Sequence, residues 1–263
     1  MKEEVLKMDL IIPTFFITIL FAFSLLIAFI IRKRLIEKVM FLEIDENLKN
    51  LAPREFFYNI LKIEKFAKPL YYVGFIFFLL LPIFIIFQGY QEYKEYHLFK
   101  DYIDFTITPS SFILHRLSIP LIVWFFISTF LLFALIMKKG ENKRISKMLD
   151  DLEKSKLLKY AKEDFIISDK ILETGVLGND IKLGSKFLFV IYPAYIIPYS
   201  WLDSVKVGVI SGRYGSKAYY VNIILKKSLK SIKITFAKKE VCEKITELLL
   251  KKKYKSQNNR QSI

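Results

Sequence analysis

Few side chains in this chain could do chemistry. Its 263 residues include two histidines, His97 and His115, and one cysteine, Cys242. The histidines share the stretch 90–116 with Asp101 and Asp104, a combination that could ligate a metal. They stand 18 positions apart, however, and lack the short spacings of metal sites. A solvated loop with interfacial aromatics is the expected reading, with no metal. A single cysteine excludes an internal disulfide and any zinc site built on several cysteines. Cys242 shares one face of a predicted helix with Val241, Ile245, Leu248 and Leu249, which makes it a buried small hydrophobe rather than a nucleophile. Gly178 to Lys186 looks superficially like a phosphate loop. Five residues separate its glycines and Ser185 precedes Lys186, whereas the nucleotide-binding loop needs four and the opposite order. No nucleophile–base pair and no paired carboxylates are evident, so a non-enzymatic role without a cofactor is expected.

Basic residues are the remaining chemistry. In Ser211-Gly212-Arg213-Tyr214-Gly215-Ser216-Lys217, two glycines free the backbone while Arg213 and Lys217 could hold an anion; an ordinary loop between strands is the more common origin of such a sequence. The pairs Lys138-Lys139 and Lys143-Arg144, the triplet Lys251-Lys252-Lys253 and Lys255 are further candidate contacts for anionic lipid. From Lys138 onward the chain holds 27 basic and 13 acidic residues, within a formal net charge of +15. Near an anionic leaflet each Lys or Arg is worth about 1 kcal/mol. Codon bias toward lysine would produce the same excess. Nucleic acid is not an expected partner, because no aromatic-plus-basic recognition motif accompanies the charge.

The elements that position these residues begin with apolar runs. The chain is 53% hydrophobic with 25 Phe and 15 Tyr. Residues 10–31 contain no ionisable side chain and precede Arg32-Lys33-Arg34. As a helix they extend about 33 Å, enough to cross a hydrocarbon core of about 30 Å. The charges follow the run and no small-residue cleavage site succeeds it, so it reads as a retained helix rather than a signal peptide. Residues 69–89 and 117–137 are two more spans, flanked by Tyr71, Tyr72 and Tyr90 and by Arg116 and Lys138-Lys139. Pro82 and Pro120 are tolerated in lipid. No span carries an ionisable residue, so the spans read as an anchor. Nine basic residues lie in 32–68, three in 90–116 and two in 1–9. The excess of positive charge on cytoplasmic loops predicts an N-terminus outside, 32–68 inside, 90–116 outside and everything after 137 inside the plasma (cytoplasmic) membrane.

In the first inner loop, Phe56, Phe57, Ile60, Leu61, Ile63 and Phe66 recur at near-helical spacing. A helix lying in the membrane plane fits, as does a helix packed on the downstream domain or an extension of the second span. Ile145, Met148, Leu149 and Leu152 mark an amphipathic helix over 140–161. Beyond it the period shortens. Short strands are predicted at 165–168, 171–174, 187–192, 195–199, 204–210, 218–226 and 231–236, separated by glycine, proline and Lys-Ser turns. These readings divide the chain into a membrane domain over 1–139, a juxtamembrane helix over 140–161, a β domain over 162–252 that ends in a helix, and a disordered basic tail over 253–263.

The stretch from Phe187 to Val205, centred on Ile197-Pro198-Tyr199-Ser200-Trp201-Leu202-Asp203, resembles the core of bacterial membrane-anchored pleckstrin-homology-like proteins. Over 160–252 the resemblance implies two packed, curved sheets with a C-terminal helix plugging one end. Lipid-binding members use a long basic loop between their first two strands. Here only Asp169 and Lys170 separate the first two predicted strands, so that site is not carried over. The expected fold is therefore an α+β membrane protein, with three transmembrane helices followed by a cytoplasmic PH-like small antiparallel barrel or sandwich closed by a C-terminal helix. The expected role is binding: the module engages the bilayer through anionic phospholipid headgroups, or engages another membrane protein. A transporter or complex subunit that works through its spans is the alternative.

Overall fold

In a computed structural model, the described residues are 2–40, 46–99, 108–168, 170–172, 174, 181–191, 193–212, 217–226 and 228–261. The helices are α1 Lys2–Met40, α2 Glu46–Asn50, α3 Pro53–Leu61, α4 Ile63–Phe99, α5 Pro109–Arg116, α6 Ser118–Lys154, α7 Leu158–Ile167 and α8 Lys239–Gln261. The strands are β1 Ile171–Leu172, β2 Ile181–Leu183, β3 Phe187–Val190, β4 Tyr195–Pro198, β5 Leu202–Ser211, β6 Lys217–Leu225 and β7 Ser228–Phe236. They form two compact units: Met1–Ile31 with Ala67–Lys138, and Arg32–Phe66 with Lys139–Ile263.

The first unit is helical because its apolar runs leave the backbone no partner but itself. Three helices are long and apolar enough to cross a membrane, over Phe15–Met40, Ala67–Leu98 and Ser118–Lys154, so the chain is a multi-pass membrane protein. Gly74 permits close approach of α4 to α6, since a β-carbon there would lie 2.6 Å from Leu131 Cδ2. Around it, Trp124 Nε1 donates to the Phe78 carbonyl at 3.2 Å and Tyr71 Oη to the Ala134 carbonyl at 3.0 Å. Pro109 starts α5, whose Thr108 cap accepts from the Ser111 amide. His97 and His115 are apart in role. His97 stacks edge-on against Tyr93 and Tyr96, whereas the His115 carbonyl accepts from Ser118 Oγ. Asp101 and Asp104 lie outside the described residues. Among the described residues, no three of His, Cys, Asp and Glu gather as a metal ion would need.

The second unit is built in layers. β1-β2-β3-β4 form one antiparallel sheet and β5-β6-β7 another. A barrel was one expectation; the sheets instead remain open. Helices cover the face of the first sheet that points away from the second, so closure is not needed to bury it. Phe187, Phe189 and Ile196 face the helical side, where they pack with Phe56, Phe57 and Ile60 of α3, Ile145, Leu149 and Leu152 of α6, and Phe165 of α7. The alternate residues Leu188, Val190 and Ile197 face the other sheet and α8, against Val221, Ile223, Ile234, Phe236, Cys242, Ile245 and Leu249. Burial on both faces explains why β3 reads as a continuous apolar run.

Four expectations change here. Residues 165–168 are not a strand: Leu158, Ala161 and Phe165 are buried at helical spacing in α7. Residues 181–183, where no strand is predicted, form the short strand β2 with a lysine at its centre. The loop 32–66 belongs with 139–263 rather than with the spans, and among the readings offered for its helix the one packed on the downstream domain holds, since the apolar face of α3 is buried in that core. Polar stitches reinforce this union. Lys182 Nζ, almost fully buried, donates to the Met40 carbonyl at the end of α1 at 2.9 Å, and Lys162 Nζ reaches the Leu51 carbonyl at 2.8 Å. Arg54 bridges Asp150 and Glu153, each at 2.6 Å. Finally, α8 continues to Gln261, through most of the stretch expected to be disordered. α6 runs unbroken from the third span to Lys154, and Lys156, at φ 55°, turns the chain into α7.

Candidate anion-binding pocket

Ser185 and Lys186 are the two-residue turn of the β2–β3 hairpin, closed by the Gly184 amide donating to the Phe187 carbonyl at 2.8 Å. Neither turn residue has positive φ, so the turn is not one of the primed types whose twist suits a hairpin. Asp164 of α7 supplies what the turn lacks. Its Oδ1 accepts from the Ser185 amide at 2.7 Å and from Ser185 Oγ at 2.6 Å, and its Oδ2 accepts from the Lys186 and Phe187 amides at 2.9 Å each. The stretch that looks like a phosphate loop thus spends its amides on an internal carboxylate.

Beside this turn is a half-open cavity of about 610 Å³. Tyr160 of α7, Lys186 of the turn, Ser200 after β4, and Lys252 and Lys255 of α8 contribute its polar lining, over Leu157, Phe187 and Pro198. The volume is in the range of small-ligand sites. No acidic side chain lines it. Lys252 Nζ donates to the Gly184 carbonyl, which also accepts from Tyr199 Oη at 3.2 Å. Burial pushes the Lys252 ammonium below the ordinary lysine range; Asp164 pulls it back up, and Lys170 and Lys255 push it further down. Burial, with the Asp164 charge second, pushes the Tyr199 phenol far above the ordinary tyrosine range. The cavity is a crowded set of cations with no counter-ion on its own walls. Such a lining suits an anion better than a cation.

The sequence-predicted contacts are spread more widely. Lys252 is in the pocket. Its neighbours on α8 are engaged elsewhere: Lys251 pairs with Glu247 at 2.6 Å and Lys253 Nζ donates to the Asp203 carbonyl. Arg144 pairs with Glu141 at 2.6 Å and lies 4.2 Å from the Tyr195 ring centroid. Lys138 belongs to the span unit, 6.0 Å from the Tyr71 ring, while Lys139 and Lys143 are exposed on α6. Lys217 is exposed at the start of β6 and pairs in register with Ser211; Arg213 lies outside the described residues. The first two strands are now β1 and β2, joined by 173–180. That segment holds no Lys or Arg and two acids, Glu173 and Asp180, so it is no basic loop. Lys186 and Asp164 were missed. Lys186 stood in a stretch set aside for wrong spacing, and Asp164 precedes residues read as a strand. No family model, no curated protein and no solved structure matches this chain.

Proposed function

We propose that this chain is a plasma-membrane protein that presents a PH-like binding module on the cytoplasmic face and engages anionic lipid headgroups. The observation that carries the reading is the make-up of the second unit. It draws together the segment after the first span and the segment after the third, which supports placing both on one side of any membrane that the helices cross. It also holds 34 of the 41 basic residues and 19 of the 26 acidic ones, so the entire net charge of +15 belongs to it. Positive charge on that scale selects the cytoplasmic side, and the anionic surface there attracts it. Two packed sheets followed by a helix is the arrangement that the PH-like resemblance implies, and the four-stranded sheet, the three-stranded sheet and α8 are compatible with it. The four-stranded sheet departs from a bare module by its coat of α3, α6 and α7. The role is binding rather than catalysis.

The test uses full-length protein in neutral detergent. Anionic lipids should be retained over phosphatidylcholine, as read by native mass spectrometry, and released as salt rises through about 0.15 to 1 M. A reporter fused after Ile263 should be active in the cytoplasm. Equal retention of neutral lipid, or a reporter active only outside, would overturn the reading.

A further inference from the structure

The geometry points to a phosphomonoester as the ligand of the cavity between the β2–β3 turn and the end of α8. This inference deepens the reading of the second unit as an anion-engaging module and rests on it. Three lysines, Lys186, Lys252 and Lys255, line one cavity, and Lys186 Nζ lies 5.5 Å from the ring centroid of Tyr160, another lining residue. The one carboxylate behind them, Asp164, has its oxygens occupied by four donors, and Lys170 adds a further positive charge felt at Lys252, which leaves a local charge of at least about +2 at the wall. A phosphomonoester near pH 7 carries about −1.5 to −2, whereas a phosphodiester carries a single charge. Donor supply agrees with the dianion. Lys186 and Lys255 are exposed side chains with whole ammonium groups to offer, and Lys252 uses one donor on the Gly184 carbonyl. The hydroxyls of Ser185 and Ser256 are spent on Asp164 and on the Lys253 carbonyl, so Ser200 and Tyr160 are the hydroxyls left to complete the shell. Leu157, Phe187 and Pro198 give the ester's carbon portion an apolar wall. The site lies at the β2–β3 turn and not between the first two strands.

The same chemistry could arrive on a lipid or on a soluble metabolite, and the experiment separates them. Full-length protein in neutral detergent is titrated with phosphatidate, with phosphatidylglycerol at matched total charge, and with glycerol 3-phosphate. Bound mass is read by native mass spectrometry, and protection of 184–187 and 252–256 by hydrogen exchange. Phosphatidate should bind at least about tenfold more tightly than phosphatidylglycerol and protect both segments. Glycerol 3-phosphate protecting them alone would assign a soluble ligand; protection by phosphatidate only would assign the lipid. The variant Lys186→Glu with Lys255→Glu alters exposed side chains and should lose this preference while general anionic retention persists. Lys251→Glu, outside the pocket, is the control. Equal binding of phosphatidate and phosphatidylglycerol, unchanged by the double substitution, would overturn the inference and leave the proposed function standing. Loss of all anionic retention would sink both.

Discussion

The carboxylate of Asp164 occupies the space that a side chain on residue 184 would need. A β-carbon on Gly184 would overlap that carboxylate and lie 2.9 Å from the Phe187 carbonyl. The pair therefore works as one device: absence of a side chain at 184 admits the carboxylate, and the carboxylate holds a turn of unfavourable twist.

Asp164→Asn keeps the shape and removes the charge, so one of the donor pairs meets an amide nitrogen instead of an oxygen. A loss of about 2–3 kcal/mol is expected, on the scale of charge-assisted hydrogen bonds. Gly184→Ala should cost a comparable amount through overpacking. Because both act on one contact, the double variant should cost less than the sum. Thermal midpoints of the full-length protein in detergent measure all three, and strict additivity would show that the two residues act separately.

The division of the chain predicts how it can be cut. A fragment of residues 162–252 lacks α3 and the inner face of α6, and so exposes Phe165, Phe187, Phe189 and Ile196, all buried in the second unit. An apolar patch of that kind drives aggregation. Residues 32–66 joined by a flexible linker to 139–263 restore the cover and should be monomeric and soluble at low concentration. Size-exclusion chromatography of the two fragments decides it; a well-behaved 162–252 fragment would contradict the layer assignment.

How far the sequence anticipates this molecule depends on the range of the interaction concerned. The spans were legible because a run without charge is a local signal, and β5, β6 and β7 because each alternates or pairs with its neighbour in sequence. β2 was not legible. Lys182 occupies its middle, and the Met40 carbonyl and the Phe165 ring, 4.4 Å from its Nζ, help to make that position habitable for a lysine. Neither is near it in sequence. Phe165 suggests a strand because the apolar run around it is short; its helical partners Leu158 and Ala161 sit upstream, between the turn at Lys156 and Phe165. The pocket follows the same rule. Lys252 was selected for its charge, but Lys186 joins it only through the hairpin turn, and Asp164 only through α7.

Cys242 offers a probe of the second core. It is fully buried, and burial, with Glu243 second, pushes its thiol above the ordinary range, so thiolate is scarce and inaccessible. At neutral pH a thiol reagent should label native protein about a hundredfold or more slowly than unfolded protein, with the rate set by opening of α8 from the sheet. Prompt labelling of the native protein would mean that α8 does not cover β5–β7.

Alkaline pH separates the two titrating neighbours of Gly184. Tyr199 titrates near 10 when unfolded and higher when folded, so its contribution is complete below about pH 10 and is lost as pH rises beyond that. Lys252 shifts the other way. Its folded proton is held less tightly than an unfolded lysine's at about 10.5, so stability increases slightly with pH in the window below that value. Tyr199→Phe removes the alkaline loss along with one hydrogen bond to Gly184, and should show lower stability at pH 7, by about 1 kcal/mol, with a flatter decline above pH 10. Anion affinity at the pocket follows Lys252, weakening before pH 10.5 as its proton leaves. In Lys252→Arg, where that cation does not titrate, the weakening should set in at higher pH than in the wild type. A wild-type affinity that stays flat to pH 10.5 would remove Lys252 from the anion's shell.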